Sequence, residues 1–469
     1  MIEGKTIVAL CTSGINDNAT ETLIDSLSHG LNRIDAKLFV YCTCRDVYRC
    51  GINEAGEERV YELIDYERID VLVLWSERIR NKDLIGRIVS KAGERNIPVI
   101  TIDEPIDGCI NIYFEQASGI ANITRHLIEE HNIRDFHFIA GIRGNSWSNT
   151  RLTAFKQVLD EYGIPFTNSM VSFGDFWEKP TALVVQKLID EKRVPKAFVC
   201  ANDTMAIATI ETLAKNGIRV PDDVAVTGFD GIDDIHYYQP TVSSCEYRYE
   251  DVSETICYIL SDVIEGFVAN RNFSLPLQAM YGRSCGCEDE HAVNPSLYVK
   301  YFRTRYYHFR YYEQHLSDFS AKASQAGNLS ELSQCFDDEM ISDVCCFLTK
   351  KSTDETFPPE NAAEGPAFER EMTLLFDSDS VHRTDDSFVP RTFDAGNNVV
   401  PNLSDKLGDE YPLIFYALND VDCPLGYACF HFNRHDYRNY FRMPLIVGEL
   451  SHAVSDYHRR KYCRYLENK

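Results

Sequence analysis

Residues 198–240 read FVCANDTMAIATIETLAKNGIRVPDDVAVTGFDGIDDIHYYQP, and no other stretch constrains the fold as tightly. Phe198 and Val199 open a short apolar strand that runs into Ala201-Asn202-Asp203. Met205, Ile207, Ile210 and Leu213 then recur at helical spacing, and Asn216-Gly217 supplies a stop. Val224 to Thr227 predicts a second strand, ending in the turn Gly228-Phe229-Asp230-Gly231. This is a β-α-β unit with polar groups at the carboxyl ends of both strands. In open parallel sheets ligands bind at that edge.

The chain has 469 residues, too many for one hydrophobic core. Its net charge of -25 repels phosphate backbones, so no general nucleic-acid surface is expected. Ile7-Val8-Ala9-Leu10 is too short for the apolar core of a signal peptide. No apolar run approaches the roughly 18 residues of a membrane span. The expectation is a cytoplasmic protein with no membrane contact and mostly free, buried thiols among its 16 cysteines. Cys42/Cys44/Cys50, Cys285/Cys287 and Cys345/Cys346 lack C-x-x-C spacing, and no nearby histidine completes a set, so no metal or cofactor is expected. The His431/His435 pair has i,i+4 spacing, but it leaves a predicted strand rather than lying on a helix.

Strands and helices alternate over residues 5–284. Strands are predicted at Thr6-Leu10, Lys37-Tyr41, Val71-Trp75, Pro98-Ile102, Phe136-Ala140, Val171-Phe173 and near Leu277-Tyr281. Helices are predicted over 19–31, 57–65, 82–95, 116–130, 148–162, 179–191 and 250–268, with Ser148 and Asn202 as N-caps. Such alternation implies parallel sheets covered by helices. From Tyr298 apolar residues fall at 298, 302, 309, 312, 316, 319 and 323, a heptad-like seam carrying Phe302, Phe309, Leu316 and Ala323. It suits either docking on its own domain or a dimer seam. A second folded region spans 327–440, and a long helical pattern runs from Tyr437 to Lys469.

Five ordered motifs give the α/β region a resemblance to the effector-binding core of LacI/GalR-type regulators, a periplasmic-binding-protein type I fold. They are Ile97-Pro98-Val99-Ile100-Thr101-Ile102-Asp103; His126-Leu127-Ile128 through Ile139-Ala140-Gly141; Ser148-x-x-Arg151-x-x-Ala154-Phe155; Ala201-Asn202-Asp203-x-Met205-Ala206; and Ile218-x-Val220-Pro221-x-Asp223-Val224-x-Val226-x-Gly228-Phe229-Asp230. The resemblance implies a two-lobed α/β domain over 1–287, with lobe one at about 1–105 plus 241–287 and lobe two at about 106–240. A connecting helix at 295–326, an α+β GAF-like domain at 327–440 and an output helix at 441–469 would follow. That order is similar to the sensor half of bacterial diguanylate cyclases, although no GG[DE]EF segment is present. The first predicted strand begins at Thr6, which leaves no room for the family's N-terminal helix-turn-helix.

The resemblance also implies a sugar-like polar metabolite held between the lobes. Arg151 would donate a fork of hydrogen bonds, Asn202 would both donate and accept, and Asp230 would accept from hydroxyls. Each has a structural alternative: a cap for Asn202, a turn for Asp230, an ion pair for Arg151. Trp75, Phe114, Trp147 and Trp177 are candidate aromatic walls. Glu115, Asn145, Asn16 and Asp17 are further polar candidates. No G-x-S-x-G elbow, P-loop or G-x-G-x-x-G occurs, so no enzymatic activity is expected. The two functional expectations are a sensor region controlling a cyclase, and a LacI/GalR-type transcriptional regulator. A homodimer is expected through helices near 298–323 and 441–466.

Overall fold

The computed structural model describes residues 2–15, 17–44, 54–264, 272–288, 295–336, 344–358, 367–378, 388–396, 398–431 and 442–469. They form two compact units. The first joins Met1–Tyr113, Tyr249–Phe273 and Arg305–Lys469; the second joins Phe114–Arg248 and Ser274–Thr304. Strands in chain order are β1 Thr6–Ser13, β2 Ala36–Thr43, β3 Val71–Trp75, β4 Val99–Ile102, β5 Ile110–Phe114, β6 Phe136–Ala140, β7 Val171–Phe173, β8 Ala197–Cys200 and β9 Ala225–Thr227. There follow β10 Ser244–Glu246, β11 Asn272–Leu275, β12 Gln278–Met280, β13 Val344–Leu348, β14 Glu371–Asp377, β15 Arg391–Asp394, β16 Leu413–Asp420 and β17 Cys423–Phe430. The strands β5, β10 and β11 had no clear pattern in the sequence, being short or flanked by polar residues.

In the first unit β1 to β5 pair in parallel, in the order β5-β4-β3-β1-β2. Both faces of such a sheet are covered, which is why Val71–Trp75 is apolar and buried at every position. Helices Asn18–Arg33 and Tyr249–Ile264 pack closely: a Cβ on Gly30 would lie 2.7 Å from the Cys257 sulfur.

The parallel run does not stop at β2. Leu413, Ile414 and Phe415 of β16 pair in parallel with Phe39, Val40 and Tyr41, and β17, β13, β14 and β15 continue the sheet antiparallel. Phe415 stacks on Tyr41 with ring centroids 5.1 Å apart. Beside this seam the buried Lys37 ammonium donates to Asp409 Oδ1 at 2.7 Å and to the Asp409 carbonyl at 3.0 Å. The strands after residue 327 therefore do not form a sheet of their own. An apolar β2 edge left bare would template association, and β16 covers it.

Helix Pro295–Ala323 is as long as its seam implied. Tyr312, Leu316, Phe319 and Ala323 are buried. Phe319 meets Phe336 edge-on at 5.3 Å, and Arg442 donates to the Tyr312 hydroxyl at 2.9 Å. Phe302 and Phe309, earlier in the same seam, are exposed, and the Tyr298 side chain lies outside the described residues. The final helix, Arg442–Glu467, buries Met443, Ile446, Val447, Leu450, Val454 and Tyr457. Arg460 binds the carbonyls of Ala323 and Ala326 at 3.0 Å each. Much of the apolar side expected to pair with a second chain is thus used within the unit. His431 ends its strand and sits 2.8 Å from Asp409, while His435 lies outside the described residues.

The second unit holds the parallel sheet β7-β6-β8-β9 and the antiparallel pair β10-β12. Helices Gln116–Glu129, Ser146–Glu161, Glu178–Asp190 and Asp203–Lys215 belong to it. Asn145, not Ser148, caps the second of these, its side chain accepting from the Ser148 amide at 3.0 Å.

The shared sheet makes a prediction. A chain ending at residue 287 lays bare the outer edge of β2, with Phe39 and Tyr41 stripped of the Phe415 ring. That fragment is expected to self-associate or precipitate, as read by size-exclusion chromatography. A soluble, monodisperse monomer would contradict a structural role for the β2–β16 pairing.

Candidate functional site

In the second unit the strand ends converge on one arginine. Arg151 sits on helix Ser146–Glu161 and is 5% exposed. Its Nε donates to Gln116 Oε1 at 3.1 Å and its Nη2 to the Tyr247 hydroxyl at 3.0 Å. Nη1 donates to the Ala201 carbonyl at the end of β8. Nη2 also lies 3.1 Å from Asp230 Oδ1. The guanidinium carbon is 4.0 Å from the centre of the Phe229 ring, a stacked cation–π geometry. A planar fork meets all these partners at once; a lysine could not.

Asp230 is held rather than merely present. Its φ is 110°, a conformation that costs a non-glycine residue free energy unless its surroundings impose it. The Asp230 amide donates to the Cys245 carbonyl at 3.0 Å. Beneath the turn, the fully buried Asp203 carboxylate accepts from the Ser244 hydroxyl at 2.6 Å and the Ile232 amide at 3.0 Å. Burial first, and the neighbouring Asp230 second, hold the Asp203 pKa well above the usual carboxylate range. Gly228 makes this approach possible, because a Cβ there would lie 2.1 Å from Asp203 Oδ1. The Asp230 side chain keeps 32% of its surface exposed. The site therefore presents a carboxylate oxygen to solvent beside a pre-oriented guanidinium, a set suited to hydroxyl groups.

Other expected site residues are distributed around this centre or away from it. Trp147 is half-buried one turn before Arg151 on the same helix face. Phe114 packs edge-on to Tyr247 at 4.9 Å and so buttresses a partner of Arg151. Asn202 caps helix Asp203–Lys215 through the Met205 amide at 3.0 Å and donates to the Phe176 carbonyl at 3.3 Å. Its donor and acceptor are thus engaged within the protein, as in the capping alternative. Asn145 likewise caps its helix. Glu115 accepts from the Ser274 hydroxyl, and its amide donates to the Leu275 carbonyl at 2.9 Å. Trp177 is 52% exposed at the start of helix Glu178–Asp190. Asn16 lies outside the described residues. Sequence reasoning passed over Gln116, Tyr247 and Asp203. The quoted Asn202-Asp203 pair held the signal for Asp203, since an aspartate at a helix start on a buried strand end needs donors.

The first unit carries its own polar set at the carboxyl ends of β1, β3 and β4. Asp17 caps helix Asn18–Arg33 and pairs with Arg78. Arg78 lies 4.7 Å from the centre of the Trp75 ring. Trp75 is buried and donates from Nε1 to Asp103 Oδ2 at 2.6 Å, so its polar edge is met by a carboxylate. Burial and then Glu77 raise the Asp103 pKa above its ordinary 3.8. The folded state thus holds the Asp103 proton where the unfolded chain has lost it. The resulting stability is fully present below the unfolded value and is lost as pH rises through the folded one. In urea denaturation at a series of pH values, Asp103→Asn is expected to flatten this decline, its amide oxygen still accepting from Trp75. An unchanged pH profile would refute a protonated Asp103.

With this geometry in place, comparison with known proteins is informative. Residues 124–285 match the family model described as "Periplasmic binding protein-like domain". The chain is 29% identical over 272 residues to the HTH-type transcriptional repressor PurR of Photobacterium profundum, covering 56% of this chain and 75% of the relative. It is 25% identical over 255 residues to the probable HTH-type transcriptional repressor ExuR of Bacillus subtilis, covering 54% and 72%. Among solved structures it is similar to the lac repressor dimer bound to operator and the anti-inducer ONPF, with TM-score 0.48, 18% identity, and 60% and 94% of the chains covered. These relatives are repressors rather than enzymes, which agrees with the lack of a catalytic constellation in the sequence. They give no support to a GAF-like identity for 327–440, to a cyclase link, or to the expectation of no direct nucleic-acid binding. Among the described residues no helix is long and apolar enough to cross a membrane. Over residues 124–285 the chain is thus similar to periplasmic-binding-protein-like domains.

Proposed function

We propose that the chain is the effector-binding part of a LacI/GalR-type regulator, and that its effector is a small, hydroxyl-rich metabolite. The observation that carries this reading is the Arg151–Asp230 pair, 3.1 Å apart at the strand ends of the second unit. Arg151, buried, orients the pair, Asp230 offers its partly exposed carboxylate as an acceptor, and the φ of 110° at Asp230 keeps that carboxylate aimed without a cost at the moment of binding. The Trp147 ring, one turn away, would face the apolar side of a sugar. Sugar recognition by the Arg151–Asp230 set is the finer part of the reading. The coarser part, a ligand-binding regulator, rests on the matched domain and the repressor relatives. The repressor-type reading accounts for those relatives better than a cyclase sensor does.

A thermal-shift screen with sugars, nucleosides and related polyols tests it. A ligand that binds the native state alone raises the melting point by mass action. At least one polyol is expected to do so, and Asp230→Asn is expected to abolish the shift while leaving the unliganded melting point nearly unchanged. Arg151→Ala removes a buried charge from four partners and is expected to cost roughly 3 kcal/mol of stability as well. If no polyol shifts the melting point, or Asp230→Asn binds normally, the assignment fails.

We also propose self-association through the first half of helix Pro295–Ala323. Val299, Phe302, Tyr306, Tyr307, Phe309 and Tyr311 are between 42% and 62% exposed there, an unusual density of aromatic surface. Sedimentation at micromolar concentration is expected to show a dimer, and Phe302→Ser with Phe309→Ser a monomer. A monomeric parent chain would remove the proposal.

A further inference from the structure

Two histidines and two cysteines that the sequence holds far apart meet in the second unit. His126 lies in the last turn of helix Gln116–Glu129, and His131 follows just beyond it. Cys285 and Cys287 flank Gly286 in the turn after Tyr281. The His126 and His131 Nε2 atoms are 3.1 Å apart. Cys287 Sγ is 3.2 Å from His126 Nε2 and 3.4 Å from His131 Nε2, and Cys285 Sγ is 3.7 Å from His126 Nε2. The other two pairs also fall within 4.8 Å.

Hydrogen bonding does not account for this arrangement. An imidazole Nε2 carries either one proton or one lone pair. His126 Nε2 faces another imidazole nitrogen and two sulfurs, and one valence cannot serve three neighbours. A cation does serve all four. A tetrahedral zinc ion with Zn–N of about 2.05 Å and Zn–S of about 2.3 Å sets N–N, N–S and S–S edges near about 3.4, 3.6 and 3.8 Å. The four measured separations run from 3.1 to 3.7 Å. We propose that His126, His131, Cys285 and Cys287 form a structural Cys2His2 site for zinc.

The surroundings fit. Tyr281 stacks on the His126 ring at 3.8 Å and 16°, which fixes its plane. Gly286 has φ 107°, the left-handed turn that brings both cysteines to one side. A Cβ on Gly286 would lie 3.3 Å from His131 Cε1, so the turn leaves little room for any larger residue. A cavity of about 400 Å³ lined by Pro221, Arg283, Gly286, Cys287 and Glu288 adjoins the Cys287 side and gives an ion a way in. Four protein ligands close the coordination shell, so the ion would have a structural and not a catalytic role. It would tie the chain leaving the ligand-binding core to the end of helix Gln116–Glu129. Binding requires both thiols to give up their protons, which pass to buffer.

The test uses the full chain, stripped with chelator and then titrated with Zn²⁺ or Co²⁺ alone. One ion per chain is expected, read by elemental analysis after dialysis. Cobalt should give the intense visible bands of a tetrahedral site and a thiolate charge-transfer band. Cys287→Ser and His131→Gln should lose the stoichiometric ion, whereas Cys463→Ser, at an exposed cysteine, should keep it. Zinc should raise the melting point of the parent chain and leave that of Cys287→Ser unmoved. Weak octahedral cobalt bands, less than half an equivalent of zinc, or retention of the ion by both ligand variants would each overturn the site. So would a Cys285–Cys287 disulfide in protein purified under reducing conditions. The cobalt spectrum of the parent chain decides the matter even if a ligand variant does not fold.

Discussion

A parallel sheet delivers every one of its strands to the same edge, and polar side chains at the strand ends must find partners there or lose hydration uncompensated. Both units answer this constraint with a cation set against carboxylates. In the second unit the ends of β8 and β9 bring Ala201, Asp203 and Asp230 around Arg151. In the first, the ends of β1, β3 and β4 bring Asp17, Trp75 and Asp103 around Arg78. The chemistry differs in what it leaves over. Asp103 is buried and its pKa raised, so it is used up in satisfying Trp75. Asp230 keeps part of its surface open.

The same constraint explains the turn at Gly228–Gly231. Asp203 is too deeply buried to remain charged without donors, and the chain supplies them by folding the 231–232 backbone over it. In the same turn Asp230 takes a positive φ.

Much of this was legible in the sequence, and the reasons the rest was not are physical. The strands β6, β8 and β9 and their helices declare themselves by apolar runs and caps, and the Arg151–Asp230 encounter follows from matching motifs in order. Ser148 was a plausible cap, but Asn145 stands three residues before it and its carbonyl oxygen reaches the Ser148 amide instead. Asn202 was readable as cap or ligand contact, and only the bond to Met205 shows which need its oxygen meets. Pairing between β2 and β16 spans more than 370 residues, and nothing local to Lys37 tells that its ammonium will end beside Asp409. Spacing rules for metal ligands fail at Cys285 and Cys287 for the same reason. The histidines beside them, one in the last turn of helix Gln116–Glu129 and one just beyond it, lie more than 150 residues earlier, so no short window of sequence contains the set.

Helix Gln116–Glu129 ties these two features of the second unit together. Its first residue, Gln116, accepts from Arg151, and its last turn carries His126. The helix is about 20 Å long at 1.5 Å per residue, and it is stiff, with Ile120, Ile123 and Leu127 buried along its length. Its N-terminal end therefore fixes one face of the arginine fork, while its C-terminal end is held by Tyr281 and the cysteine turn. Arg151 and the cluster around His126 are thus joined through one helix, by the Gln116 contact in its first turn.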